Sequence, residues 1–322
     1  MKAGRETAAP ALAQTPLSGR PEDAAGRDLK PGPELPLSFT DDLGYPVRIT
    51  SCQRVVSLYG SFAEAWLLAG GTLVGTTEDA LSERRLDLGP ETAGVGQIQL
   101  PNLEKLLLLA PDLVILSAEI PAQVNLHPNL QAAGIAHAYF TGATFSDYLA
   151  MLEKFCRLTG RPDLYRQKGL QVQQQIQAVK EQVRAGRKNP PRVLLLRTYA
   201  HGLKVKNSQS MAGAMLKDLG AVNIADGRSS LLEDLSLEKI VAEDPELILV
   251  VPMGEVSLAR QWLQQEFQAN AAWSSLTAVQ NKHLYLLPKE LFHYKPNARW
   301  GESYAYLAGL LQEGSRVNPA LP

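Results

Sequence analysis

Cysteine is scarce in this 322-residue chain: only Cys52 and Cys156 occur, at a spacing that matches no metal-binding pattern. Two isolated thiols are the plain reading, and a disulfide between them would need an oxidising compartment. An excess of positive charge is missing as well. The 32 Lys and Arg offset 33 Asp and Glu for a net charge of -1, so no basic stripe is available for a nucleic-acid backbone. No apolar run reaches the roughly 18 residues of a membrane-spanning helix. Met1 to Arg20 also lacks the apolar centre of a signal peptide, so the chain reads either as cytoplasmic or as exported with its signal absent from this sequence. Catalytic signatures are thin: there is no Gly-x-Ser-x-Gly and no phosphate loop, and Gly94-Val95-Gly96 lacks the third glycine of a dinucleotide site.

What the chain does hold is a stretch used twice. Residues 101–116 and 235–250 align without a gap, with Leu103/Leu237, Glu104/Glu238, Lys105/Lys239, Pro111/Pro245 and Leu113/Leu247 identical. Asn102 and Ser236 stand as helix N-caps, whose side chains can accept from an orphan backbone N–H. Apolar residues follow at helical spacing: Leu103, Leu106, Leu107 and Ala110 in one copy, Leu237, Ile240 and Val241 in the other. Pro111 and Pro245 stop each helix, because the residue before proline avoids the helical region. The unbroken aliphatic runs Leu113–Leu116 and Leu247–Val251 predict strands covered on both faces. Glu104 and Glu238 fall about 100° off the apolar stripe and are expected to face solvent. An acid in the first helical turn favours the helix dipole, but that alone does not account for its recurrence in both halves.

In chain order, residues 1–36 are rich in Ala, Pro, Gly and charge and read as a flexible tether. Leu37 to Thr50 predicts a hairpin around Asp41-Asp42-Leu43-Gly44. Arg54-Val55-Val56-Ser57-Leu58 opens a strand–helix–strand unit, followed by the first repeat copy, a helix around Gln123 to Ala133 and the strand Ala136 to Phe140. Residues 37–144 thus form an N-terminal α/β lobe. Residues 145–190 read as a helical connector interrupted near Gly160-Arg161-Pro162. Arg192-Val193-Leu194-Leu195-Leu196 restarts the pattern of Arg54, and residues 191–322 form the second lobe. The expectation is two α/β lobes with mainly parallel sheets, joined by a long linker helix, with a ligand cleft between them.

Ligands of open α/β sheets bind beyond the carboxyl ends of the strands. In the first lobe those loops carry Tyr59, Glu78 with Asp79, Gln97, Glu119, and Tyr139 with Thr141. In the second they carry Arg197, Tyr199, His201, Arg228, Met253 and the stretch from Lys289 to Trp300. His201 suits a metal or haem ligand, a general base or a plain loop residue. His293, Tyr294, Arg299 and Trp300 lie in an aromatic and cationic run that reads either as a cleft wall stacking on a large ligand or as a loop packed under the last helix. Met253 is a candidate soft axial ligand or a packing residue. Arg84-Arg85 reads as solvated surface, with ligand carboxylates as the alternative partner.

Arg54 to Leu58 with Glu64 and Gly70 downstream, Asn102-Leu103-Glu104 through Pro111-Asp112-Leu113, the helical connector, and Leu237-Glu238 through Pro245-Glu246-Leu247 carry a family likeness. From about Leu37 to Leu311 the chain resembles the class III periplasmic substrate-binding proteins of ABC importers, the group for iron–siderophore, haem and cobalamin uptake. The resemblance implies a monomeric binding protein that is not an enzyme and has no intrinsic cofactor. Its cargo would be an iron–siderophore, haem or cobalamin, with an iron complex the commonest in the family. It implies a membrane permease dimer with its ATPase as partner, and Glu104 and Glu238 as the acids that meet permease arginines. It implies an extracytoplasmic protein, periplasmic or a tethered lipoprotein, whose signal sequence is absent from this chain. The alternative is a two-lobed α/β metallo-enzyme using His201 or His293 as base, for which the expected nucleophile and clustered metal ligands are missing.

Overall fold

A computed structural model describes residues 31–186, 189–199, 202–227 and 236–313. Residues 1–30 of the expected tether lie outside them. Just before the first strand, Glu34 is fastened to the connector, with its N–H donating to Arg157 O at 2.8 Å and its carboxylate accepting from the Arg157 guanidinium at 2.6 Å.

β1 (Leu37–Thr40) and β2 (Pro46–Ile49) form the expected antiparallel hairpin. Asp41 shapes its turn. It is 6% exposed, accepts from the N–H groups of Leu43 and Tyr45 at 3.0 and 2.9 Å, and accepts from Tyr139 N at 3.1 Å. A buried carboxylate with these donors is satisfied, and it ties the hairpin to the first lobe.

That lobe is built on a five-stranded sheet in which every pairing is parallel. β3 (Val55–Ser57) leads into α1 (Gly60–Leu68), and β4 (Gly75–Thr76) into α2 (Asp79–Ser82). β5 (Ala93–Gly94) precedes a small hairpin of β6 (Gly96–Gln97) and β7 (Leu100–Pro101), then α3 (Leu103–Leu108) and β8 (Leu113–Ser117). α4 (Pro121–Val124), α5 (His127–Ala132) and β9 (Ala136–Phe140) complete it, with strand order β5-β4-β3-β8-β9. The single helix expected around Gln123 to Ala133 is therefore two. Pro128 has no N–H to continue α4 and sits instead in the first turn of α5, where none is needed.

The connector is α6 (Phe145–Thr159), α7 (Pro162–Tyr165), a π-turn at Arg166–Leu170 and α8 (Gln171–Gly186). A capping box of Thr144 and Asp147 starts α6, and Gly160 at φ 69° ends it. In the second sheet β10 (Arg192–Tyr199) pairs antiparallel with β11 (Gly202–Lys206) and parallel with β12 (Val222–Asn223) and β13 (Leu247–Val251), and β13 pairs parallel with β14 (Leu284–Leu286). α9 (Met211–Asp218) and α10 (Leu237–Glu243) flank it. A closing helix, Trp300–Glu313, packs against α8.

Alternate residues of the strands enter different cores. Val55, Leu113 and Ile115 of the first sheet share one continuous core with Tyr148 and Phe155 of α6, Val193 and Leu195 of β10 and Leu307 of the closing helix. Val56, Val114 and Leu116 face a separate outer core, as Leu194, Leu196 and Ile248 do in the second sheet. Each such buried aliphatic contributes about 1.5–3 kcal/mol, and the shared central core couples both sheets to the connector.

The repeat is visible in three dimensions, with two departures from its sequence reading. Asn102 caps α3 by accepting from Lys105 N at 2.9 Å, whereas Ser236 makes no side-chain cap bond. Leu107 is not on the buried face: it is 40% exposed, and only Leu106 of that stripe is fully buried. Both helices stop through a left-handed residue before proline, Ala110 at φ 43° and Asp244 at φ 36°. The freed carbonyls are then taken by arginine. Arg54 donates to Leu109 O at 2.6 Å, and Arg192 donates to the equivalent Glu243 O at 2.8 Å. Asp112 and Glu246 accept the backbone N–H of those same arginines, each at 3.0 Å. The arginine before each strand is thus the C-terminal clamp of the repeat helix.

Candidate functional site

Tyr59 follows β3 directly and is half-buried at the start of α1, with its ring 4.9 Å from that of Phe62. Burial raises its phenol pKa. The adjoining Gly60 N–H donates to Asp79 Oδ2 at 2.7 Å, and a Cβ at Gly60 would lie 2.5 Å from that oxygen, so glycine is required for this approach. Burial also raises the Asp79 pKa.

Tyr59 lines neither of the two spaces described below, and the loop after β14 crosses back to this part of the first lobe. Asn297, at φ 53° and 1% exposed, donates to Ser61 O at 2.8 Å and to Glu64 at 2.6 Å. Glu64 also pairs with Arg84, whose guanidinium donates to Lys295 O at 3.1 Å and lies 5.5 Å from the Tyr294 ring centre. Arg84 is therefore no solvated surface residue: its side chain is 9% exposed, and burial lowers its pKa to about 10. Only its neighbour Arg85 faces solvent. Lys295 reaches Glu119 of the first lobe at 3.0 Å.

From β10, Arg197 donates to His293 Nδ1 at 2.8 Å. Guanidinium has donors only, so this bond fixes the neutral imidazole with its proton on Nε2. Burial first, then Arg197 and Lys289, lower the His293 pKa to about 4. Three cations stand near the Tyr199 ring, with Arg197, Lys204 and Lys206 at 5.9, 5.6 and 5.9 Å from its centre. A cavity of 280 Å³ opens between Glu119 and Ala143 of the first lobe and Arg197, Lys206, Ser210, His293 and Lys295. Beside it on the second lobe lies a groove of 660 Å³ lined by Tyr199, Met253, Leu258 and Trp262. Met253 is held there by its N–H, which donates to Thr198 Oγ1 at 2.9 Å.

The structure thus brings Glu119, His293 and Lys295 to one cavity and Tyr199 and Met253 to the adjoining groove. Tyr294 stands behind them, between Arg84 and Lys289. Glu78 and Gln97 are exposed and line neither space. Arg299 is spent on Glu302 at 2.8 Å. Trp300, expected in a cleft wall, is instead 1% exposed and packed edge-on against Phe145 in the central core, and so is not placed to stack on a ligand. His201 and Arg228 lie outside the described residues. Sequence reasoning missed Lys206 as a site residue, and within the stretch from Lys289 to Trp300 it did not single out Lys295, nor Arg197 from its neighbours. Lys206 enters the site only through the antiparallel pairing that sets it opposite Leu195. Among the described residues no three His, Cys, Asp or Glu side chains gather as a metal site. Glu104 and Glu238 are both exposed in the first turns of α3 and α10.

Two lobes with mainly parallel sheets, a helical connector and an interlobe cavity at the strand ends define a two-lobed α/β binding protein. Residues 55–291 match the Periplasmic binding protein family, and the chain belongs to it. It is 23% identical over 207 residues to the high-affinity heme uptake system protein IsdE of Staphylococcus aureus, spanning 63% of this chain and 68% of that one. The solved IsdE complexed with heme superposes with a TM-score of 0.67 at 19% identity, covering 81% of this chain and 99% of the other. The vitamin B12 binding protein BtuF of Vibrio cholerae gives 0.65 at 20% identity, covering 82% and 98%. The catecholate-siderophore binding protein VctP of Vibrio cholerae gives 0.65 at 17%, covering 87% and 99%. At these identities the structural likeness establishes the fold. Among the described residues no helix is long and apolar enough to cross a membrane.

Proposed function

We propose that this chain is the extracytoplasmic receptor of an ABC importer, capturing an anionic iron complex, a ferric siderophore or haem, and delivering it to a membrane permease. The observation that carries the anionic class is the charge of the cavity. Arg197, Lys206 and Lys295 face it, and among the described residues only Lys295 has a carboxylate partner. His293 stays neutral beside them, offering a proton on Nε2. A ligand bearing carboxylates or catecholates would find three cations and a donor in a partly dehydrated space, where such bonds are strongest. The relatives named for heme and for a catecholate siderophore support the same class. A corrinoid is the second reading, supported by the apolar groove at Met253, Leu258 and Trp262 and by the likeness to a vitamin B12 binding protein.

Delivery is read from Glu104 and Glu238, one exposed acid at the same helical position in each lobe, matching a two-fold partner with two basic sockets. The test is reversal of both charges. Transport of the iron complex is expected to be lost with ligand affinity unchanged. Loss of ligand binding in that double variant, or undiminished transport, would overturn the docking assignment.

A further inference from the structure

The cationic cavity and the apolar groove are consecutive steps along the same two strands. β10 and β13 pair in parallel with Arg197 opposite Val251, and both residues line the cavity. Just beyond them, Thr198 and Tyr199 at one strand end and Met253 and Gly254 at the other line the groove. Thr198 Oγ1 accepts from Met253 N at 2.9 Å and fastens the two ends together. Arg197 and Tyr199 share a face of β10, so Tyr199 stands at the junction of the two spaces. The groove's other wall is the helix Val256–Ala269, whose Ala259, Leu263 and Phe267 are buried at helical spacing. Leu258 and Trp262, four residues apart on the adjoining strip, line the groove, and Leu258 is 63% exposed. Glu255 lines it as well and opposes an anionic group there.

Size argues that the two spaces are filled together. The cavity, at 280 Å³, is below the roughly 300–1,000 Å³ of sites that enclose a drug-sized ligand. With the 660 Å³ groove added, the space reaches the upper part of that range. We propose that cavity and groove are one bipartite site for an amphiphilic iron complex: its anionic groups sit against Arg197, Lys206 and Lys295, and an apolar body attached to them, an acyl chain or a flat macrocycle, lies along Met253, Leu258 and Trp262. The inference rests on the anionic reading of the cavity given above and adds what the other end of the cargo must be. The cations orient the ligand through charge-assisted bonds, and the groove adds affinity by taking apolar surface out of water. Leu258 is then no idle surface residue but one side of the seat for that apolar body. A wholly polar ferric chelate would fill the cavity and leave the groove to water.

The test titrates the purified chain with a ferric catecholate, with the same chelate carrying an octyl chain, and with haemin. The wild type is expected to bind one of the two apolar-bodied probes about tenfold or more tighter than the bare chelate, as the burial of a few methylenes would give. A preference for the octyl chelate identifies the body as a chain, and one for haemin as a macrocycle. Met253→Gln/Leu258→Gln, which adds no charge, should cut that preference about threefold or more with thermal stability unchanged. Should the double variant melt lower, Leu258→Gln alone carries the same comparison, at a side chain already 63% exposed. Equal affinity for all three probes, or a preference that survives the groove variant, overturns the bipartite site; weakening of the bare chelate in Arg197→Ala/Lys206→Ala then leaves the anionic reading standing. Binding of none of the three overturns both. A wild type that sediments as a dimer and a groove variant that sediments as a monomer, with no preference among the probes, overturn the inference in favour of a second copy of the chain in the groove.

Discussion

Lys295, carried on the loop after the last strand of the second lobe, places its ammonium 3.0 Å from the carboxylate of Glu119 in the first. Among the described residues Glu119 is thus the one acid lining a cavity whose other charged groups are Arg197, Lys206 and Lys295, and it pairs with the last of these.

Replacing Glu119 with Gln should free Lys295 and remove the repulsion that a ligand carboxylate meets. An anionic iron complex is expected to bind about three- to tenfold tighter, and the gain should shrink as salt is raised. Stability should change by less than about 1 kcal/mol, since the Glu119 side chain is 43% exposed. Ligand titration at low and high salt checks this, and unchanged affinity would count against a cationic site.

Arg84 behaves in the opposite way because it is buried. Arg84→Ala leaves Glu64 without its guanidinium and strips a donor from Lys295 O, so unfolding in urea should show a loss of about 3 kcal/mol. Arg84→Lys should recover only part of it, having neither a second nitrogen to reach Lys295 O and Glu64 separately nor the flat face that lies over Tyr294.

His293 makes stability depend on pH. Its folded pKa of about 4 is below the usual value of 6.5, so folding favours the neutral ring. That contribution is complete above pH 6.5 and is lost as pH falls toward 4, because the unfolded chain then binds the proton more readily. His137, lowered chiefly by burial, acts in the same direction. Denaturant curves at pH 7 and pH 4.5 should therefore show a smaller acid-induced loss in His293→Gln than in the wild type. An equal loss in both would remove His293 from the account.

Arg54→Met and Arg192→Met should each cost about 1 kcal/mol by releasing the helix-end carbonyl they clamp. The clamps sit in different lobes, so the double variant should show the sum. Chemical denaturation of the four proteins of the cycle measures it.

The lobes, their parallel sheets and the connector were legible because each signal is local: aliphatic runs, Pro111 and Pro245, Gly160 before Pro162. The duplication was legible too, down to the recurring arginine, but not what the arginine does. Arg54 and Leu109 are far apart in sequence, and their bond appears only when strand and helix lie side by side. The site was less legible for the same reason. Lys206 reaches it through strand pairing, and Arg84 is buried by a loop from the other lobe. Trp300 misled because an aromatic beside cations reads alike in a cleft wall and in a core; only burial separates them.

Absorption spectroscopy reads directly whether the cavity beside Arg197 takes an anionic iron complex. The purified chain is titrated with haemin, with a ferric catecholate and with cyanocobalamin, as wild type and as Arg197→Ala/Lys206→Ala. A saturable spectral change is expected with haemin or the ferric catecholate, weakened tenfold or more in the double variant, and none with cyanocobalamin. Saturable binding of cyanocobalamin alone, or of an iron complex with equal affinity in both proteins, would contradict it.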